Sequence, residues 1–183
     1  MINNCFNYVG SKDRLFPIID SNLDKSQDLF VDLFCGSGVV GVNEVGNYKR
    51  VLLNDACWQL VFTLRYFRDN DYGLIIEGLD SIIKGFNLSK DNKEGYNKLR
   101  EFYNEVCKEP ENFNPLVFYN LVTHSFNYNI HINKNGGFSV PSGKGRSYFN
   151  SNLRKKFENF LKVAENLPPS ARFYGTSSHN RQI

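Results

Sequence analysis

The chain has 183 residues, of which 41% are hydrophobic and 22% charged, and its formal net charge is +3. This composition supports a sizeable core and argues against wholesale disorder, and the sequence has no apolar run of about 18 residues that would span a membrane. Its four cysteines form no CxxC pair, so neither a metal site nor a disulfide framework is expected. Without a signal-peptide pattern, we expect a cytosolic protein of one domain, or one domain with a modest insertion.

The first third of the chain has the pattern of a parallel α/β sheet. A short apolar run is followed by a glycine turn, a helical segment and a second apolar run, which is the order of a strand-turn-helix-strand unit. The first of the two strands is predicted to be buried. In chain order we predict a helix, a strand, a turn, a helix and a strand over residues 13–23, 29–34, 35–38, 39–45 and 50–53.

The rest of the chain is predicted to be mainly helical, with one hairpin. Residues 129–133 and 138–140 alternate in polarity and flank Lys134-Asn135-Gly136-Gly137, which favours a β-hairpin. A basic amphipathic helix and a third strand follow, with Pro168-Pro169 between them. The predicted helices cover residues 58–67, 74–83, 94–107, 115–125 and 153–167, and the third strand covers 172–174.

Basic residues concentrate in one stretch of an otherwise acidic chain. Residues 1–130 hold 13 Lys or Arg against 17 Asp or Glu, whereas residues 131–162 hold seven basic residues against one acid, Glu158. Such a stretch favours a surface that contacts the phosphates of nucleic acid. The alternative is a solvated helix face with an adjoining loop.

The glycine turn and the end of the second strand form the first candidate site. Gly36 and Gly38 allow a sharp turn and a close approach of the backbone to a ligand. Asp55 comes 19 residues after Gly36, where an acidic residue binds ribose hydroxyls in nucleotide-binding folds. Two glycines and no GxxxxGKS favour an adenosyl ligand without pyrophosphate over NAD or ATP. The alternative is a structural turn with Asp55 as a helix cap.

Three motifs in the same order resemble those of Dam-type DNA adenine-N6 methyltransferases of the D12 class. The segments 129–133 and 137–144 are similar to the target-recognition region of that family, especially in phage members, so the resemblance covers essentially the whole chain. The N-terminal, S-adenosylmethionine (SAM) and ribose-binding motifs correspond here to Asn7-Tyr8-Val9-Gly10-Ser11-Lys12, Asp32-Leu33-Phe34-Cys35-Gly36-Ser37-Gly38 and Leu53-Asn54-Asp55.

The resemblance implies a site-specific, SAM-dependent DNA adenine-N6 methyltransferase, as in restriction-modification systems. The implied fold is α/β, a partial Rossmann-like methyltransferase sheet of about three strands with a helical and β-hairpin target-recognition insertion. The SAM-binding part would comprise residues 1–57 and 168–183, and the DNA-recognition part residues 58–167.

The same resemblance assigns roles in binding SAM. Lys12 would pair with the methionine carboxylate, Tyr8 would pack beside the cofactor and Asp55 would hold the ribose. Phe34, Gly36 and Gly38 would shape the floor of the pocket. The alternatives are a core aromatic at Tyr8 and a solvated lysine at Lys12.

For duplex DNA, the resemblance implies that the hairpin over 129–140 approaches the major groove and offers side chains to base edges. His131 stands where members that read GATC place an arginine. Since histidine cannot make the bidentate arginine–guanine contact, GATC is not the expected recognition sequence, and a structural role for His131 is the alternative. The implied DNA contacts are Asn127, Tyr128, Asn129, His131, Asn133, Pro141, Lys144, Arg146, Arg154 and Lys155.

The catalytic Asp-Pro-Pro-Tyr of the family is absent from the 183 residues. In the family, its acid and a carbonyl hold the amino group of the flipped adenine, and its tyrosine stacks on the base. The single Pro-Pro here, Pro168-Pro169, lies between Leu167 and Ser170. We therefore expect the chain to stop before the catalytic loop, to hold no catalytic residue and to be inactive alone.

Two further expectations follow from that missing segment. The open edge of the first strand should be covered by self-association, by a partner chain or by residues 176–183, because an apolar edge invites pairing. The alternative to an enzyme is a non-catalytic remnant that binds SAM, DNA or a protein, such as a phage regulator or counter-defence factor.

Overall fold

A three-stranded parallel sheet organises the computed structural model, which describes residues 1–7 and 9–175. Strand order follows the sequence, with β1 paired to β2 and β2 paired to β3. Leu29 lies opposite Arg50 in the first pair, and Val51 lies opposite Ala171 in the second. The parallel α/β sheet predicted from the sequence is confirmed. The strands are β1 (Leu29–Asp32), β2 (Arg50–Asp55) and β3 (Ala171–Gly175).

Within the described residues, seven α-helices surround this sheet or extend from it. Asp71, Asn92, Asn114 and Asn150 cap α4 to α7, each side chain accepting a backbone N–H of the first turn, as short polar side chains do at helix starts. The helices are α1 (Phe16–Ser21), α2 (Val39–Glu44), α3 (Trp58–Asp69), α4 (Tyr72–Gly85), α5 (Lys93–Phe102), α6 (Pro115–His124) and α7 (Ser151–Ala164). A π-helical turn (Tyr103–Cys107) and 3-10 turns (Pro110–Asn112, Phe126–Tyr128) complete the described elements.

One face of the sheet is buried and the other is largely open. Residues opposite each other in a parallel pair point to the same side, so Val51, Leu53 and Phe173 share the face on which α3 packs. Val31 and Leu33 point to the other side, where they are 47% and 54% exposed. The prediction that the first strand is buried is therefore wrong. This strand is at the sheet edge, and no helix among the described residues covers its second face.

An aromatic core joins the sheet layer to the helices beyond it. Phe67 of α3 packs edge-on against Tyr119 of α6, and Tyr119 stacks on Phe157 of α7 with ring centroids 4.4 Å apart. The Tyr119 hydroxyl donates to the carbonyl of Cys5 at 2.7 Å. Helix α3, which begins at the predicted domain boundary at residue 58, packs both on the sheet and on this core. The boundary therefore stays a prediction.

The predicted hairpin forms without regular strands. Its arms meet in a single antiparallel bridge between Ile132 and Phe138. Asn127 and Tyr128, which precede it, both have φ of +55°, a left-handed conformation that interrupts an extended run. The Asn133 side chain accepts the N–H groups of Asn135 and Gly137 and so shapes the turn. Side-chain bonds replace part of a strand ladder here.

Several helix bounds also differ from the prediction. The helix predicted over 13–23 is shortened to α1, which has Pro17 in its first turn. The continuous helix predicted over 94–107 ends at Phe102 and continues as the π-helical turn. The last predicted helix ends at Ala164, before Pro168-Pro169. Within residues 1–7 and 9–175, no helix has the length and apolarity needed to cross a membrane.

Candidate functional site

A polar pocket of about 290 Å³ lies at the carboxyl ends of β1 and β2. We call it the strand-end pocket. Residues 9–12 and 34–37 form two of its walls, and Asp32, Val39, Val40 and Asp55 complete its lining. Ligands of open parallel sheets bind at this end of the strands, because the loops that follow the strands converge there.

Asp55 ties the two strand ends together. Its Oδ2 accepts the N–H of Gly36 at 2.8 Å, and its Oδ1 accepts the N–H of Cys57 at 2.8 Å. Each carboxylate oxygen has two lone pairs, so each keeps the capacity for a further donor. Asp55 is therefore oriented by the backbone and can still accept two hydroxyl groups of a ligand.

The two glycines of the turn have different roles. Gly36 lines the pocket with φ of +51°, and Gly38 begins α2 with φ of +74°, both in the left-handed region that favours glycine. A Cβ on Gly38 would lie 2.9 Å from Cδ1 of Leu64. Gly38 thus allows α2 to pack closely on α3, and it is not among the residues that line the pocket.

Two polar residues of the pocket were not singled out from the sequence. Burial raises the pKa of Asp32, the nearby charge of Asp55 raises it further, and Asp32 accepts the N–H of Gly41 at 3.1 Å. The Ser37 hydroxyl is buried and has no hydrogen-bond partner in the described part of the chain. Both lie inside the motif over residues 32–38. Asp32, like Asp55, stands at the end of a predicted strand, and this position was the signal that could have identified it.

The remaining residues predicted to bind a cofactor lie at the rim or outside the described residues. Lys12 is exposed beside the pocket, and its Nζ donates to the Gly10 carbonyl at 2.8 Å. Phe34 lines the pocket and is 81% exposed, so its place on the pocket floor stays a prediction. Tyr8 lies outside the described residues.

Residues that follow the strand-end pocket in sequence line a second cavity, of about 570 Å³. We call it the hairpin cleft. One wall is formed by residues 56–60, which directly follow Asp55, and the other by residues 130–134 and Gly136 of the hairpin. Trp58 in this cleft packs edge-on against Phe62 and Phe113, with ring centroids 5.1 and 4.9 Å away.

Long-range side-chain bonds hold the hairpin in place. Asn104 accepts the N–H of Phe138 at 2.7 Å and donates to its carbonyl at 3.2 Å. The hydroxyl of Tyr96 donates to the Val140 carbonyl at 2.8 Å. These anchors are 34 and 44 residues from their partners. The sequence reasoning missed them, because nothing in the local pattern pairs them.

The polar residues predicted to contact DNA at the hairpin are mostly exposed. His131 is exposed, and its Nδ1 lies 2.6 Å from the Ser139 hydroxyl across the hairpin. Asn127 and Asn129 are exposed and Tyr128 is half-buried beside them. Asn133 is exposed as well, although its side-chain oxygen is used by the turn.

The predicted phosphate contacts fall into two groups. Lys144, Arg146 and Lys155 are exposed, as is Pro141. Arg154 is half-buried instead. It pairs with Asp80 and lies 3.8 Å from a Glu158 oxygen, and its guanidinium lies over the Phe149 ring at 5.3 Å. Arg154 therefore joins α4 to α7, which reduces its freedom to meet a ligand.

Comparisons with known proteins agree on one family. The profile of the D12 class N6 adenine-specific DNA methyltransferase family matches residues 8–178. The chain is 33% identical to type II methyltransferase M.FokI of Planomicrobium okeanokoites over 162 residues, which is 88% of this chain and 24% of that protein. It is 31% identical to modification methylase StsI of Streptococcus sanguinis over 166 residues, 91% of this chain and 24% of that protein.

A third relative shows the same difference in length. Modification methylase LlaI of Lactococcus lactis subsp. lactis is 26% identical over 174 residues, which is 95% of this chain and 27% of that protein. The chain thus spans about a quarter of the length of the curated relatives it matches.

Proposed function

Because the chain belongs to the D12 class of N6 adenine-specific DNA methyltransferases, we propose that it binds SAM and duplex DNA for methylation of adenine at N6. The observation that carries this proposal is the junction of the two cavities. Asp55 lines the strand-end pocket, and the next residue, Ala56, lines the hairpin cleft. Methyl transfer requires donor and base side by side, and two cavities lined by consecutive residues support that arrangement.

The chemistry of the strand-end pocket fits SAM. The orphaned Ser37 hydroxyl and the free lone pairs of Asp55 are acceptors for the polar groups of an adenosyl ligand. Asp55 would hold the ribose, Lys12 the methionine carboxylate, and Asp32 would favour a positively charged group. When bound, SAM supplies an electrophilic methyl group. The chain's part is to orient the ligand, and the packing role of Tyr8 stays a prediction.

The hairpin and the exposed basic residues after it are the proposed DNA surface. Residues 129–140 would enter the major groove, with His131 and Asn129 toward base edges and Lys144, Arg146 and Lys155 toward phosphates. Since His131 cannot make the arginine–guanine contact, we propose a recognition sequence other than GATC. In this assignment residues 1–57 and 168–183 serve SAM and residues 58–167 serve DNA. The cytosolic location stays a prediction.

We further propose that these 183 residues bind both ligands without transferring the methyl group. Base-flipping enzymes must hold the extruded base by hydrogen bonds and stacking, and the sequence contains no Asp-Pro-Pro-Tyr to do so. The same observation favours a second candidate, a non-catalytic module that binds SAM, DNA or a protein. The two candidates differ in whether a catalytic segment supplied separately completes the site.

Binding and transfer are tested on the same preparation. Calorimetry with SAM and fluorescence anisotropy with an unmethylated duplex should both show binding, while mass spectrometry of the DNA should show no N6-methyladenine. Adding a family polypeptide that carries Asp-Pro-Pro-Tyr should then produce N6-methyladenine. Absence of product with that addition supports the non-catalytic module. Product from the 183 residues alone, lost in Asp55→Ala, would overturn the proposed inactivity, and absence of binding to either ligand would overturn the function.

The open side of the sheet is the proposed interface with another chain. Leu29, Val31 and Leu33 are all exposed on it, and β1 pairs only with β2 within the described residues. The unpaired backbone groups of an edge strand beside exposed apolar side chains invite pairing with another polypeptide, and in a purified sample the available partner is a second copy. Sedimentation should show a concentration-dependent dimer that Val31→Lys abolishes. A monomer at every concentration would rule out the self-association.

A further inference from the structure

Another polar cavity, distinct from the strand-end pocket and from the hairpin cleft, lies at the base of the hairpin. Two loops form it, one between α4 and α5 over residues 88–93 and one over residues 142–147 after the hairpin. Its volume is about 120 Å³, well above the roughly 10–15 Å³ that a cavity needs to hold one water molecule. A Cβ on Gly145 would lie 3.5 Å from Cε of Lys90, so the loops approach closely.

Three lysines and one aspartate line this cavity, which we call the lysine pocket. Lys90 and Lys93 come from the first loop and the start of α5, and Lys144 comes from the second loop. All three are exposed, and none forms an ion pair or side-chain hydrogen bond with the described residues. Asp91 is the single acid of the lining. The pocket is therefore positively charged, and its positive charges have no internal partner.

A buried hydroxyl in the lining also lacks a partner. Ser142 is 5% exposed and its Oγ makes no hydrogen bond within residues 1–7 and 9–175. A buried polar atom without a partner costs about 1–3 kcal/mol, so native proteins usually satisfy it with a ligand or water. The hydroxyl can donate to an anion that enters the pocket.

The buried histidine of the lining adds no charge to the pocket. His124 is buried, and its Nδ1 lies 2.9 Å from the Asn120 carbonyl. Burial lowers the pKa of His124 to about 4, so the ring is neutral at neutral pH and adds no charge. The positive charge comes from the lysines at the mouth, and the orphaned donor lies deeper.

We propose that the lysine pocket holds one phosphate group of the DNA backbone, with Lys90, Lys93 and Lys144 around it and the Ser142 hydroxyl donating to it. The position of the lysine pocket favours DNA over a free phosphate. Ser142 forms an antiparallel bridge with Ser125 at the foot of the hairpin. When the hairpin enters the major groove, the phosphate backbone that borders the groove would pass close to this foot. This inference rests on the proposed function.

The role of such a contact is to set the register of the hairpin on the duplex. Phosphate contacts fix the orientation of a protein on DNA and carry no sequence information themselves. The lysine pocket lies between the α4–α5 loop and the foot of the hairpin. A phosphate held there would therefore fix the orientation of the hairpin from its foot.

The salt dependence of DNA binding tests the proposal on the full chain. In Lys90→Gln/Lys93→Gln, the slope of log affinity against log salt should fall by about 1, and affinity at low salt by about tenfold, equally for two unrelated duplexes. Arg50→Gln/Lys84→Gln removes the same charge from exposed positions outside the pocket and should keep the wild-type slope.

Ser142→Ala distinguishes a contact inside the pocket from a general effect of surface charge, because it leaves the charge unchanged. Affinity for DNA should fall about threefold, while the free energy of unfolding stays the same or rises, because the hydroxyl lost had no partner. Inorganic phosphate should raise the melting midpoint of the wild type above that in chloride of equal ionic strength. The shift should vanish in Lys90→Gln/Lys93→Gln.

Two outcomes overturn the proposal and are distinguishable. If the wild type binds DNA and the pocket variants keep its slope and affinity, the lysine pocket is no DNA contact, and the proposed function stands. If the wild type binds no DNA at low salt, the DNA part of the proposed function fails as well. A phosphate shift in that case would assign the pocket to a small phosphate ligand instead.

Discussion

The strand-end pocket and the hairpin beside it hold their polar groups by different means. In the pocket, backbone N–H groups of Gly36 and Cys57 orient Asp55, and the turn comes from a short run of sequence. In the hairpin, the two arms share one β-bridge, and the side chains of Asn104 and Tyr96 from other elements form hydrogen bonds to its backbone. A ligand common to a family suits the first arrangement, and a surface that must vary with its target suits the second.

This difference predicts that changes in the two regions separate cleanly. Damage to the pocket should abolish SAM binding and leave the hairpin in place. Damage to the hairpin anchors should weaken DNA binding and leave SAM binding unchanged. Each of the following changes tests one side of that separation, in order of decreasing expected effect.

Asp55→Ala should produce the largest effect. Loss of the two acceptors for ribose should weaken SAM binding roughly a thousandfold, about 4 kcal/mol, since hydrogen bonds to a charged group contribute about 1.5–3 kcal/mol each. DNA affinity should change little. Calorimetry and anisotropy measure the two affinities. Asp28→Ala, an exposed aspartate paired with Lys49 before β1, is the control, and an equal loss there would contradict the assignment.

Acidification tests the foot of the hairpin through His124. Burial lowers its pKa in the folded state from 6.5 to about 4, so between these values the unfolded chain binds a proton that the folded chain does not. Stability is therefore lost as pH falls from about 6.5 to about 4, by about 3 kcal/mol in all. Urea unfolding at several pH values should show this loss, and His124→Gln should show a correspondingly smaller one.

His131→Gln provides the comparison for that experiment. This variant removes an exposed imidazole and keeps the buried one of His124, so it should retain the loss assigned to His124. If His124→Gln and the wild type lose the same stability on acidification, another group accounts for the loss.

Asn104→Ala should loosen the hairpin. It leaves the Phe138 N–H without its partner, which costs about 2 kcal/mol, and DNA affinity should fall about tenfold because the hairpin must be ordered on binding. Affinity for SAM should stay as in the wild type. Asn97→Ala in the preceding helix α5 is the matched control, because the Asn97 side chain makes no comparable hydrogen bond among the described residues. A parallel loss of SAM binding in Asn104→Ala would show that the two regions are not independent.

The smallest effect concerns Arg154. Its pair with Asp80 is a third to a half exposed, and such pairs contribute about 0.5 kcal/mol. Asp80→Asn should release the guanidinium and raise DNA affinity about twofold at low salt, whereas Lys155→Gln should lower it about threefold. An unchanged affinity in both variants would remove α7 from the DNA surface.

Much of the sheet and of the strand-end pocket was predictable from residues close together in sequence. The glycine turn, the strand end at Asp55 and the parallel order follow from local patterns, since carboxyl ends of parallel strands meet at one edge. The exposure of the first strand was not predictable, because it depends on which helices cover each face of the sheet. Local sequence cannot specify that.

The sequence by itself thus determined the family, the parallel strand-turn-helix-strand unit and the positions of Gly36 and Asp55. Each of these depends on dihedral preference, periodicity or a motif within about 20 residues. Only the tertiary structure decided that Asn104 holds the hairpin, that Asp80 occupies Arg154 and that Lys90 meets the loop of Ser142. Those contacts join residues 34 to 74 positions apart or belong to separate loops, and packing alone brings them together.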